Sequence, residues 1–210
     1  MNKLYYTYAN ELDITKYKSE ISEQRLNAAS LYRNILDQKR SIACELLLRE
    51  SLKDNEIDPI IKYKFNELGK PSLENYPDFF FNFSHSKFIS ACVVSNNDIG
   101  LDIEVIKEIS INKVERFCNR LMTDKQKDDI LKNDYVEKFY KYWVIKESFS
   151  KLLGVGLGIN FNKVNICELS NQVWLNEENK ANFYYLKINN YAVCISSFEK
   201  INLEIYLKKF

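Results

Sequence analysis

Apolar periodicity switches from helical to alternating twice along this chain, and that order restricts the fold more than any other feature. Residues 3–8 alternate as a strand, and residues 22–52 repeat at helical spacing with a break near 33–34. Strand patterns follow at 61–65, 79–83, 88–95 and 99–105, with a turn signal at Leu68-Gly69-Lys70-Pro71. The runs 88–95 and 99–105 flank Asn96-Asn97-Asp98, which predicts an antiparallel hairpin between them. The cycle then repeats, with helices at 112–119, 123–132 and 134–153 and strands near 163–168, 183–188, 191–197 and 201–207. This order predicts an α+β protein built as two halves, residues 1–105 and 106–210, with a ligand site in the cleft where they meet.

Composition removes several function classes. Five glycines and three prolines in 210 residues leave little material for linkers, so the whole chain is expected to fold. A formal charge of +1 provides no field for holding a nucleic-acid backbone, which disfavours dedicated DNA binding. Cys44, Cys92, Cys118, Cys167 and Cys194 are scattered, odd in number and mostly flanked by apolar residues, so they read as free thiols in a reducing compartment. The start lacks the apolar core of a signal peptide and no run is long enough to cross a bilayer, which predicts a soluble, cytoplasmic protein.

Two short blocks carry the chemistry. In Gly100-Leu-Asp102-Ile-Glu104, strand alternation projects Asp102 and Glu104 together while Leu101 and Ile103 enter a core. In Trp143-Val-Ile-Lys146-Glu147-Ser-Phe-Ser-Lys151, helical spacing puts Trp143, Glu147 and Lys151 on one face. A lone Asp-x-Glu is more often a salt-bridge partner than a metal site. If strand and helix meet, however, three acids converge, and they need protons, basic neighbours or a hard cation such as magnesium.

Other positions are weaker signals. His85, the chain's one histidine, sits between Ser84 and Ser86 at the end of an aromatic strand, where side chains and backbone amides can donate to an anion. Lys70 follows Gly69 and precedes Pro71, so a stiff turn would present it. Lys39 and Arg40 head an apolar helical run, most simply as a solvated face. Gly154, Gly156 and Gly158 follow a helix instead of opening one and read as a helix stop, and Phe139, Tyr140 and Trp143 read as core packing.

Taken in order, Gly69-Lys-Pro71, Phe81-Asn-Phe-Ser-His-Ser86, Ile99-Gly-Leu-Asp-Ile-Glu104 and the run from Phe139 to Gly158 resemble the 4'-phosphopantetheinyl transferase superfamily, in its larger, Sfp-type branch. The resemblance implies two similar α/β halves related by a pseudo-twofold axis in one monomeric chain. It implies transfer of the 4'-phosphopantetheine arm of coenzyme A to a serine of an apo acyl or peptidyl carrier protein, leaving adenosine 3',5'-bisphosphate. Magnesium would be held by Asp102, Glu104 and Glu147. Lys151 would lie near the transferring phosphate, Ser84 and His85 would contact coenzyme phosphates, Lys70 and Pro71 would lie by the nucleotide, and Arg40 would pair with the 3'-phosphate. By the same resemblance Glu147, Lys151 and His85 form the catalytic set, with Asp102 and Lys151 also facing the coenzyme. Gln24 and Asn27 stand where the family often has lysines, which implies weaker discrimination of the 3'-phosphate, and Val144 replaces a small hydroxyl residue.

Two other readings remain open from the residues. Acids on a strand with an acid and a lysine nearby also describe magnesium-dependent nucleases and phosphodiesterases, although those usually carry Glu-x-Lys on a strand, whereas Lys146-Glu147 falls in a helix. A non-enzymatic coenzyme A binding module would leave the three acids without a metal to serve.

Overall fold

The computed structural model describes residues 2–210, and these form a mixed α+β protein. Strand β1 (Asn2–Tyr8) is followed by helices α1 (Ile14–Tyr17), α2 (Glu23–Ser30) and α3 (Ile35–Lys53). Strands β2 (Tyr63–Phe65), β3 (Pro71–Leu73), β4 (Phe80–Ser86), β5 (Ile89–Ser95) and β6 (Ile99–Val105) come next. Helices α4 (Ile111–Leu121), α5 (Asp124–Lys132) and α6 (Tyr135–Leu153) precede β7 (Asn165–Cys167), β8 (Gln172–Trp174), β9 (Lys180–Ile188), β10 (Tyr191–Ser197) and β11 (Leu203–Leu207). Contacts separate the chain into two compact units, one made by the chain up to Ile99 together with Asn202–Phe210, the other by Gly100–Ile201.

In the first unit the strands run β11-β1-β5-β4, with β1 antiparallel to β5 and parallel to β11. The helical pattern of residues 22–52 breaks where Asn34 caps α3, its side chain accepting from the Leu36 amide at 2.8 Å. Leu47, Leu48 and Leu52 of α3 pack with Tyr5, Tyr63, Phe81, Cys92 and Val94 to form a core. In the second unit the order is β6-β10-β9-β8-β7, and α6 lies against β10. Its core joins Val114 and Cys118 of α4 to Phe139, Ile145 and Phe149 of α6 and to Val173, Phe183 and Cys194 of the sheet. Helix α6 stops at Gly154, whose φ of 68° places it in the left-handed region that a side chain disfavours.

Three sequence expectations are corrected. Strands β5 and β6 do not form a hairpin: β5 pairs with β1 and β4, whereas β6 borders β10 in the other sheet. The hairpin of this region is β4–β5, in which Ser86 pairs with Ile89 and Lys87 adopts a φ of 49° in the turn. Residues 201–207, expected to finish the second half, instead supply β11 to the first sheet. The contact division consequently falls at Ile99, with β6 in the second unit, and not after Val105. The five cysteines are free thiols, all buried except the half-buried Cys167. No helix among the described residues is long and apolar enough to cross a membrane.

Candidate active site

Strand β6 buries Leu101 and Ile103 completely, and the intervening Asp102 is only 5 % exposed. Glu104, two residues on, is half-buried. On α6 the stripe of Trp143, Glu147 and Lys151 is half-buried, while Val144, Ile145 and Phe149 enter the core, as helical spacing requires. Strand and helix meet where Lys151 Nζ donates to Asp102 Oδ1 at 2.7 Å. Glu147 Oε1 is buried and accepts no hydrogen bond. Burial is the main cause that raises the Glu147 carboxyl to about 7, the negative charges of Asp102 and Glu104 add to it, and Lys151 opposes them.

A second group of candidate residues lies in the first unit. Arg40, on α3, donates from Nη1 to the carbonyl of Lys87 at 2.9 Å and pairs with Asp37. Its own carbonyl accepts from Ser90 Oγ at 3.1 Å, and Ser90 is the register partner of His85. Arg40 is thus brought to the β4–β5 hairpin, whose β4 strand carries buried Ser84 and exposed His85. Lys70 and Pro71 line a cavity of 150 Å³ with Asn66, Phe79, Phe81 and Asp98. Gly69 reaches a φ of 85° in the preceding turn, and Lys70 Nζ lies 3.1 Å from Asp98 Oδ1. Gln24 serves the fold, its amide oxygen accepting from the Tyr63 backbone at 3.2 Å.

Asp102, Glu104 and Glu147 offer hard oxygen donors of the type magnesium takes, and the buried Glu147 Oε1 lacks a hydrogen-bond donor that a cation would replace. Among the described residues no three acid, histidine or cysteine side chains are grouped closely enough to hold a metal as they stand. Lys151 supplies the positive charge at Asp102 instead. The donor set therefore fits a hard divalent cation by type and by the open oxygen of Glu147.

The sequence matches the model of the 4'-phosphopantetheinyl transferase superfamily over residues 98–196, a span that contains Asp102, Glu104, Glu147 and Lys151. It is 34% identical over 184 residues to the 4'-phosphopantetheinyl transferase gsp of Aneurinibacillus migulanus, covering 84% of this chain and 76% of that protein. The chain belongs to the 4'-phosphopantetheinyl transferase superfamily. It is also 29% identical over 156 residues to the 4'-phosphopantetheinyl transferase Sfp of Bacillus subtilis, covering 72% of this chain and 68% of that one.

Three residues of this 4'-phosphopantetheinyl transferase superfamily member, none of them a sequence candidate, hold α6 in place. A Cβ at Gly100 would lie 2.0 Å from the Ser148 carbonyl and 2.5 Å from the Leu152 amide, so β6 reaches α6 only because position 100 has no side chain. A glycine inside a strand pattern signals such an approach, but not its partner. Lys146, beside Glu147, is fully buried and donates to the carbonyls of Leu121 and Phe161. Ser148 Oγ adds a bond of 2.8 Å to Ser196 Oγ of β10.

Proposed function

We propose that this protein transfers the 4'-phosphopantetheine arm of coenzyme A to a serine hydroxyl of an apo acyl or peptidyl carrier protein, releasing adenosine 3',5'-bisphosphate. The observation that carries the reading is the joining of Asp102 and Lys151 beside the half-buried Glu147, whose Oε1 is buried, within the segment shared with the 4'-phosphopantetheinyl transferases. Asp102, Glu104 and Glu147 would hold a magnesium ion. When bound, that ion neutralises charge on the coenzyme's pyrophosphate and orients it.

The chain's own groups account for the remaining requirements. Attack on phosphorus needs a proton acceptor for the serine hydroxyl, and Glu147 takes that proton directly or through a water. Lys151, one turn along the same face, neutralises charge that develops on the transferring phosphoryl oxygens. Arg40 together with Ser84 and His85 of the β4–β5 hairpin, and Lys70 with Pro71 in their cavity, bind the coenzyme's phosphates and nucleotide. The free, mostly buried thiols suit a reducing cytoplasm, and the resemblance to the long branch supports a monomer.

Incubation of the protein with an apo-carrier, coenzyme A and magnesium tests the reading by intact mass. A gain of one phosphopantetheine arm on the carrier, abolished by chelation and by Glu147→Gln, is the expected result. Calorimetry should show that Glu147→Gln still binds coenzyme A. If no carrier in a panel from fatty-acid, polyketide and nonribosomal peptide systems gains mass, the transferase reading is lost.

A further inference from the structure

Lys146 is the most deeply buried charge-bearing side chain of α6, and it precedes the proposed catalytic acid by one residue. Its exposure is 0 %. Lysine is almost never fully buried unless its amine is satisfied. Here Nζ donates to Leu121 O at 2.9 Å and to Phe161 O at 2.6 Å. Both acceptors have structural meaning. Leu121 is the last residue of α4, so its carbonyl is one of those a helix leaves without an internal partner. Phe161 opens the short turn Phe161–Lys163 beyond the glycine cluster, and its ring packs 5.6 Å from Trp143.

Trp143, Lys146 and Glu147 therefore share one anchoring problem. Successive residues on a helix differ by about 100° in direction, so the bearing of Glu147 depends on what holds its neighbours. Trp143 meets the Phe161 ring one turn before Glu147, and Lys146 grips the Phe161 carbonyl from the adjoining position. The same amine binds the end of α4. Gly100 and Ser148 locate α6 against β6 and β10, and Lys146 reaches both α4 and the turn after α6.

We infer that Lys146 is a positioning residue for transfer: its buried amine clamps α6 to the end of α4 and to the Phe161 turn, and so fixes the direction in which Glu147 and Lys151 face Asp102. The inference rests on the transferase reading for its kinetic test. Misplacement of reacting groups by about 1 Å costs on the order of 100-fold in rate, whereas most of the proposed coenzyme contacts, those of Arg40, Lys70, Pro71, Ser84 and His85, belong to the other unit and Asp102 and Lys151 alone to this one.

The test compares the full-length protein with Lys146→Met, Lys146→Arg and a core control on the same helix, whichever of Ile145→Val or Ile145→Ala matches the Tm loss of Lys146→Met. Per folded molecule, Lys146→Met should lose about 100-fold in kcat with the KM for coenzyme A changed by less than about twofold, a split that marks lost alignment and not lost binding. Lys146→Arg, which keeps donors for both carbonyls, should recover at least about a tenth of the wild-type kcat, and the Ile145 control should stay within about threefold of it. Should Lys146→Met not fold, Lys146→Gln is read the same way. Equal kcat losses in the lysine variant and the control would overturn the inference, as would parallel changes in kcat and KM. Wild-type protein that transfers nothing would count against the transferase reading alone. Crystal structures then decide: the inference requires the contact of 2.7 Å between Lys151 and Asp102 to open in the variant, and fails if that contact is kept.

Discussion

Lys151 Nζ sits 2.7 Å from Asp102 Oδ1, an ion pair in which the carboxylate side chain is 7 % exposed and the lysine 28 %. Removing one partner of such a buried pair costs about 3–5 kcal/mol in comparable cases. Lys151→Ala should therefore lower Tm by several degrees and, given the role proposed for Lys151 at the transferring phosphate, cut kcat by about 100-fold or more. Added magnesium should then raise the Tm of Lys151→Ala more than that of wild type, since a bound cation replaces the missing ammonium. Thermal melts with and without magnesium check this, and an equal magnesium response in both proteins would remove Asp102 from the proposed metal site.

Gly100→Ala should be among the most damaging small substitutions in the chain. The added methyl meets backbone atoms of α6, the Ser148 carbonyl at 2.0 Å and the Leu152 amide at 2.5 Å, and no rotamer change relieves a backbone clash. Overpacking of this kind costs about 1–3 kcal/mol or more, a Tm loss of roughly 2–4 °C for each kcal/mol at this chain length. Activity should fall further than the folded fraction does, because β6 carries Asp102 and Glu104 away from Glu147. An alanine variant with wild-type Tm and turnover would show that strand and helix do not approach in this way.

How far these features were legible depends on whether their cause is local. Alternation in 99–105 and helical spacing in 134–153 are local, and the burial of Leu101 and Ile103 and the shared face of Trp143, Glu147 and Lys151 follow them. The ion pair of Asp102 with Lys151 follows once strand and helix meet. Lys146 was hidden because nothing in a Lys-Glu pair says which of the two turns inward. The misread hairpin has the same origin: Asn96-Asn97-Asp98 is a strong turn signal, but pairing partners are set by the sheets, which place β5 beside β1 and β4 and β6 beside β10. Partner choice between distant strands, as for β1 and β11, leaves no trace in either segment's pattern.

Glu168 should govern acid stability of the second unit. Burial alone would raise its pKa, but hydrogen bonds from Lys138, Lys141 and Tyr142 outweigh burial and hold the carboxyl at about 2, against an ordinary value of 4.5. Lys138 Nζ and Tyr142 OH lie 2.8 Å and 2.9 Å from Oε1, and Lys141 pairs with Oε2. The folded pKa is depressed, so this stabilisation is complete above about pH 4.5 and is lost as pH falls toward 2. Urea unfolding should therefore show Glu168→Gln to be less stable than wild type at pH 7, with a gap that narrows as pH falls from 4.5 toward 2. A gap that stays constant across that window would mean that the carboxylate is not held by these cations.

Deleting Asn202–Phe210 should unfold part of the first unit, although the deletion lies at the far end of the sequence from most of it. Strand β11 pairs in parallel with β1 from Asn2↔Leu203 to Tyr6↔Leu207. Tyr206 stacks on Tyr5 at 5.1 Å, Lys208 lies over the Tyr5 ring and 2.9 Å from Asp54, and Phe210 meets Tyr17 edge-on at 5.7 Å. Each aromatic pair contributes about 0.5–1.5 kcal/mol beyond its burial, and without β11 the β1 strand becomes an open edge. The truncated protein should show faster hydrogen exchange in β1, a lower Tm and a tendency to aggregate through that edge, while amides of α6 and β10 keep their protection. Unchanged protection of β1 would refute the assignment of the C-terminal strand as a structural part of the first unit.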